Sequence, residues 1–187
     1  MNSFYEEHEL KALGFRRYGR NLKISRKASI YSPENISIGD NVRVDDFCIL
    51  SGNIILGSYI HISAYTALYA LNGITLEDFV TVSGRVTIYS QSDDYSGSFM
   101  TNPMVPAGYN HITGGPVLLR KHSIIAAGSV VLPSVIMGEG SCLGAMSLLK
   151  CDAEPWSIYA GVPAKRIKDR SRDLLKLEQK FLNSLNQ

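Results

Sequence analysis

The sequence predicts an all-β chain wound into a parallel β-helix of hexapeptide repeats, with 18-residue coils, a short N-terminal helix, one long protruding loop and a C-terminal helix. Three observations carry that reading. Aliphatic residues recur every six positions: Ile38, Val44, Leu50, Leu56, Ile62, Leu68 and Ile74, then Leu76, Val82 and Ile88, then Leu119, Ile125, Val131, Met137, Leu143 and Leu149. All sixteen positions are Ile, Leu, Val or Met, whereas roughly one residue in three is expected to be aliphatic. Glycine often follows, as in Ile38-Gly39, Leu56-Gly57, Met137-Gly138 and Leu143-Gly144, and small residues cluster in Ala126-Ala127-Gly128-Ser129. Finally, a period of six matches neither the 3.6 of a helix nor the alternation of one flat strand. It fits short strands that turn a corner every six residues and send an aliphatic side chain into a narrow core.

In chain order, residues 3–13 read as a helix, with Ser3 as N-cap, Glu6 completing a capping box and Gly14 as the stop. Such a cap suits a stack of coils, whose raw ends need covering. Ile24 and Ile30 extend the period upstream. With three strands to a coil, coils begin at Ile38, Leu56, Leu76, Leu119 and Met137, at intervals of 18, 20, 43 and 18. The second interval places a two-residue insertion near Leu71-Asn72-Gly73. The third expels 25 residues around Asp94–Pro116, and a loop of that length inside a compact repeat is usually functional. Leu174, Leu175, Phe181, Leu182 and Leu185 lie at helical spacing amid Lys and Glu, an amphipathic helix. The organisation is a capping segment, 1–20, a β-helix domain, 21–160, carrying loop 94–116, and a basic tail with its helix, 161–187.

Composition narrows the function classes. A hydrophobic content of 45% marks a globular chain. Nineteen basic against 17 acidic residues, a net of +2, argue against nucleic acid as the main partner. No apolar run approaches the roughly 18 residues of a membrane span, and the acidic start of the chain does not read as a signal peptide. Cys48, Cys142 and Cys151, odd in number and without CxxC spacing, read as free thiols of a reducing cytoplasm.

The repeat, together with Ile158-Tyr159-Ala160-Gly161-Val162-Pro163-Ala164-Lys165-Arg166-Ile167-Lys168, resembles the left-handed β-helix acyltransferases over about residues 20–170. The similarity is greatest to the galactoside/maltose and xenobiotic acetyltransferase branch and to acetyltransferases of surface-polysaccharide synthesis. The resemblance implies left-handed coils, which a period of six does not itself dictate. It also implies a homotrimer with sites between neighbouring β-helices, and acetyl-CoA as co-substrate. The reaction it implies is acyl transfer to a hydroxyl or amino group of a sugar or similar small acceptor. Position by position, it puts Ala127 and Ala145 against the pantetheine, Ser129 nearby as a donor, and Lys150, Lys165, Arg166 and Lys168 at the phosphates.

The family commonly places a histidine just before the long loop as general base, and that position is Asp93 here. Asp93 is therefore expected to supply the proton-transfer function together with His111, the one histidine in the long excursion. An amine acceptor, already nucleophilic, needs less help from a base than a hydroxyl. Two other readings stay open at this point. One is a binding or scaffold trimer that has lost its base. The other is a metalloenzyme resembling the γ-type carbonic anhydrases, for which His61, His111 and His122 are the only ligand candidates, at a spacing unlike that family's.

Overall fold

The structure, a computed structural model, describes residues 3–185. Short parallel strands stack into three flat faces. Face A carries Arg17–Tyr18, Ile36–Ile38, 54–56, 74–76, Val117–Leu119 and Ile136–Met137. Face B carries Lys23–Ile24, Arg43–Val44, His61–Ile62, Thr81–Val82, Ile124–Ile125, Cys142–Leu143 and Ser157–Gly161. Face C carries Ser29–Tyr31, 49–51, 67–69, Thr87–Tyr89, Val130–Val131 and Leu148–Leu149. The chain visits A, B and C in turn, so three edges run the length of the solenoid: A–B, B–C and C–A.

All sixteen six-spaced aliphatics point inward and are at most 2% exposed. Strand alternation adds a second inward residue two positions earlier. Ile36, Val42, Cys48, Ile54, Ile60, Val80, Val86, Val117 and Val135 fill it in most rungs, and Ser123, Ser129, Ser141 and Ser147 in the later ones. The predicted insertion is visible in the register: Gly52 pairs with Ala70, whereas Ile54 pairs with Ile74. Asn72 ties the extra residues down, its backbone N–H donating to Ser90 Oγ at 2.9 Å and its side chain to the Ser90 carbonyl at 3.0 Å.

Corners turn through residues with φ near +60°: Asn41, Tyr59, Phe79 and His122 on the A–B edge, Phe47, Tyr65, Arg85 and Met146 on the B–C edge. This conformation is costly for residues with a Cβ. Hydrogen bonds to the preceding coil offset the cost, with Tyr59 N–H to Asp40 O at 2.9 Å and Phe79 N–H to Ser58 O at 2.9 Å. Stacking adds to them. Tyr59 and Phe79 lie 4.9 Å apart and 3° from parallel, and His122 continues the column 5.1 Å beyond Phe79.

The N-terminal helix α1 spans Glu7–Leu13, shorter than expected, with Glu6 rather than Ser3 as N-cap. Tyr5 N–H donates to the Ile24 carbonyl, and the Ser3 carbonyl accepts from Arg26 N–H. Those bonds draw residues 3–5 along the first coil before a helix can start. The capping box closes three residues later, with Glu6 N–H donating to Glu9 Oε2 at 2.7 Å, and Gly14 ends the helix at φ +79° as expected. At the other end Ser157–Gly161 folds back as the antiparallel strand Ala164–Asp169. Helix α2, Leu174–Ser184, then docks along the A–B edge. Phe181 meets Tyr59 edge-on at 5.2 Å, and Glu178 accepts from Lys121 and bonds His122 Nε2 at 2.9 Å. Arg170 anchors the linking segment by donating to the carbonyls of His122 and Gly140. No helix among the described residues is long and apolar enough to cross a membrane.

Burial raises the Glu178 carboxyl, but hydrogen bonds and charge from Lys121 and His122 outweigh it and hold its pKa below the ordinary 4.5. A depressed folded pKa stabilises fully above the unfolded value and is lost as pH falls through the folded one. The protection factors of the α2 amides, which divide out the intrinsic pH dependence of exchange, should therefore be unchanged from neutrality down to about pH 4.5 and fall below it, whereas Glu178→Gln should show the lower protection already at pH 7.

Candidate functional site

The long excursion leaves the solenoid at the C–A edge, between Tyr89 of face C and Val117 of face A. It starts earlier than Asp94, because Gln91–Asp93 pairs antiparallel with Ile112–Gly114 as a two-stranded stalk. Gly114 permits the stalk to sit tight against the coil: its φ is +149°, and a Cβ there would lie 2.4 Å from the Ser90 carbonyl oxygen. Asp94 N–H to His111 O and Gly115 N–H to Ser90 O, both 3.0 Å, complete the ladder.

Between stalk, loop and face C lies a cavity of about 500 Å³. Tyr69, Tyr89, Leu132 and Pro133 form its floor, Gln91, Ser92, Asp93 and Ile112 its stalk side, and Tyr95, Asn102, Pro103 and Asn110 its loop side. The floor tyrosines stack, 5.3 Å apart and 15° from parallel. This mixture of apolar wall and a few polar groups is what a small-molecule site needs.

Asp93 lines this cavity, but His111 does not join it. In the stalk register Asp93 stands opposite Ile112, so these two share a face and His111, one residue earlier, falls on the other. His111 is exposed and packs on Phe99 at 5.0 Å. The expected Asp93–His111 pair is thus not formed within the chain. The acid beside His111 is Asp94, whose carboxyl is held below the ordinary aspartate range by hydrogen bonds from the Ser96 hydroxyl and N–H, with His111's charge adding to them. The remaining candidate histidines hold ion pairs elsewhere. His61 bonds Asp45 at 2.8 Å on face B, and His122 serves the α2 clasp.

Ala127 and Ala145 lie exposed in successive coils of the B–C edge, joined by Met146 N–H donating to the Ala127 carbonyl at 2.9 Å. Together they leave a shallow, small-residue track open. Ser129 drops out of the ligand set: it is wholly buried, its hydroxyl donating to the Gly144 carbonyl at 2.8 Å and accepting from Ser147 N–H. Lys165, Arg166 and Lys168 are exposed on strand Ala164–Asp169, but Arg166 is already paired with Glu154 and Asp169. Lys150 follows Leu148–Leu149 and lies at the C–A edge, across face C from the two alanines.

The sequence reading missed Tyr69, Tyr89 and Gln91. The signal was available: the tyrosines each follow a six-spaced inward aliphatic, Leu68 and Ile88, and so must face outward in adjacent rungs.

No protein-family model matches the chain. A dTDP-4-amino-4,6-dideoxy-D-glucose acyltransferase of Escherichia coli is 47% identical over 182 residues, 96% of this chain and 95% of that protein. A crystal structure of AntD, an N-acyltransferase from Bacillus cereus in complex with dTDP and 3-hydroxybutyryl-CoA, superimposes with a TM-score of 0.98 at 50% identity and full coverage of both chains. A hexapeptide-repeat acetyltransferase of Vibrio cholerae in complex with acetyl-coenzyme A, 18% identical with a TM-score of 0.62 over 91% of this chain and 81% of that one, shares the fold.

Gly114→Ala should cost about 1–3 kcal/mol, the range for forcing an extra methyl against packed backbone. Faster amide exchange at Asp94 and Gly115, with the core rungs unchanged, is the expected readout.

Proposed function

The chain belongs to the hexapeptide-repeat sugar acyltransferases, with the left-handed β-helix that membership implies, and we propose that its acceptor is the amino group of a dTDP-4-amino-4,6-dideoxyhexose and its donor a short acyl-CoA. The observation that carries this reading is the Asp93 carboxylate in a tyrosine-floored cavity, at the point where related enzymes commonly hold a histidine. Solved variants of the Bacillus cereus protein are substituted at one serine and at one aspartate ten residues further on. Ser83 and Asp93 stand at that spacing here. Ser83 sits on the B–C edge, its carbonyl accepting from Thr66 Oγ1 at 2.9 Å.

An amine suits a carboxylate base. The nitrogen lone pair attacks the thioester carbonyl, forming the C–N bond. The nitrogen, now positively charged, readily gives its proton to Asp93, the C–S bond breaks to release CoA thiolate, and the proton passes from Asp93 to the thiolate, directly or through water, which restores the carboxylate. A carboxylate, with an ordinary pKa of about 4, is a weaker base than imidazole. It has only to take a proton from a nitrogen made acidic by the attack, rather than activate a reluctant hydroxyl. The missing histidine then marks the acceptor's chemistry and not a lost activity.

Acyl-CoA is assigned to the B–C edge, its pantetheine along Ala127 and Ala145 and its phosphates toward Lys165 and Lys168. Asp93 lies at the C–A edge. In one chain the two edges are separated by face C, about five residues at roughly 3.3 Å each. Donor and acceptor meet when the B–C edge of one copy faces the C–A edge of the next. Such a head-to-tail contact closes into a ring, and the trimer implied by the family is that ring. In it Lys150 reaches a neighbour's CoA. The free Cys48, Cys142 and Cys151 fit a cytoplasmic enzyme.

With a dTDP-amino sugar and acetyl-CoA, thiol release should fall about 10²–10⁴-fold in Asp93→Asn, the usual loss for a general base, while His111→Ala keeps wild-type turnover. Equal turnover in Asp93→Asn would remove the base assignment. Ala145→Trp should abolish CoA binding in calorimetry with the fold intact. Light scattering should give about three times 20.6 kDa; a monomer with full turnover would overturn the shared site.

A further inference from the structure

The cavity wall carries a polar side chain that this chemistry leaves unused. Gln91 Oε1 is shielded from solvent and meets no hydrogen-bond donor among the described residues, although Gln91 lines the cavity. Buried acceptors are nearly always paired, and an exception calls for a reason. Gln91 pairs with Gly114 across the stalk, and a Cβ on Gly114 would lie 2.7 Å from Gln91 Cα, so its backbone is closely confined.

Asp93 stands two residues further along the same strand. Residues so spaced send their side chains to the same face and start roughly 7 Å apart, a distance comparable with the width of one pyranose ring. Opposite them, Tyr69, Tyr89, Leu132 and Pro133 form the cavity floor. A hexose held between that floor and the stalk presents one substituent to Asp93 and another to Gln91.

We infer that the Gln91 side-chain amide, whose Oε1 has no partner to lose where it lies, turns into the cavity and accepts a hydrogen bond from a ring hydroxyl of the acceptor sugar, making Gln91 a specificity-determining residue that selects and orients the hexose whose amine faces Asp93. This rests on the acceptor proposed above. The nucleotide base is not the donor to Gln91, because a whole hexose and a diphosphate separate it from the reacting amine. A site built to bond a hydroxyl rejects an analogue lacking it, since the buried acceptor is then left unpaired.

The test compares wild type, Gln91→Leu and Gln91→Met, each with dTDP-4-amino-4,6-dideoxyglucose and its 2-deoxy and 3-deoxy analogues, reading kcat/KM from thiol release. Wild type should lose roughly 10- to 100-fold on one of the two analogues, the scale of one buried hydrogen bond. Both variants should lose a similar factor on the parent sugar and cease to discriminate against that analogue. Wild type that treats all three sugars alike, or variants that discriminate as sharply as wild type, would overturn the role of Gln91 while leaving the acceptor assignment standing. Wild type that acylates none of these sugars, yet transfers to another amine, would overturn both.

Discussion

Corner residues held at φ near +60° cost about 1–2 kcal/mol each when they carry a Cβ, and this chain uses them repeatedly on two edges. They persist because the corner N–H groups from Asn41 onward on these two edges donate to the coil before and because aromatic corners stack, as Tyr59, Phe79 and His122 do. Those bonds form only when each coil closes with its corners vertically aligned. The 18-residue repeat follows from that alignment, and so does the placing of functional groups. A residue's position within its coil fixes its face or edge, and its coil number fixes its height along the solenoid.

The two extra stretches of chain test the constraint from opposite sides. The insertion at Leu71-Asn72-Gly73 is absorbed at a corner, where Asn72 bonds Ser90 one coil on and the strands resume register at Ile74. The 25-residue excursion is too long to absorb and is expelled as a stalk and loop, with Val117 rejoining face A beside Ile74. Expulsion creates the cavity: face C supplies a rigid floor of tyrosines, and the stalk brings Gln91 and Asp93 over it. Division of labour among the edges comes from the same geometry. The A–B edge is met by the chain's own helix α2, while the B–C edge at Ala127 and Ala145 and the C–A cavity stay open.

The charged network shows how context decides what a histidine does. His61 and His122 are each held by a carboxylate, Asp45 and Glu178, in ion pairs that fasten rungs and helix. For Asp45, burial raises the carboxyl, while hydrogen bonds from His61 and Arg43 more than reverse it and leave it below its ordinary value. His111, in the loop, contacts Phe99 instead. With the histidines placed in this way, the ionisable acid lining the cavity is Asp93.

The sequence by itself determined the solenoid, its 18-residue coils, the insertion, the excursion and both end helices, because a core one side chain wide writes its period directly into the chain. The resemblance to the β-helix acyltransferases also singled out Asp93, since counting from Leu76 puts that family's histidine position there without any knowledge of packing. Three matters belonged to the tertiary structure. Whether Asp93 meets His111 depended on the antiparallel register of the stalk, where one residue's shift reverses the face. Whether Ser129 or Arg166 was free for a ligand depended on neighbours one coil or one strand away, Gly144, Glu154 and Asp169, which linear spacing does not reveal. The cavity was the third: its floor residues, Tyr69 and Tyr89, are twenty positions apart in the chain and become adjacent only when the coils stack, and its Gln91 gains meaning only once burial leaves Oε1 without a donor.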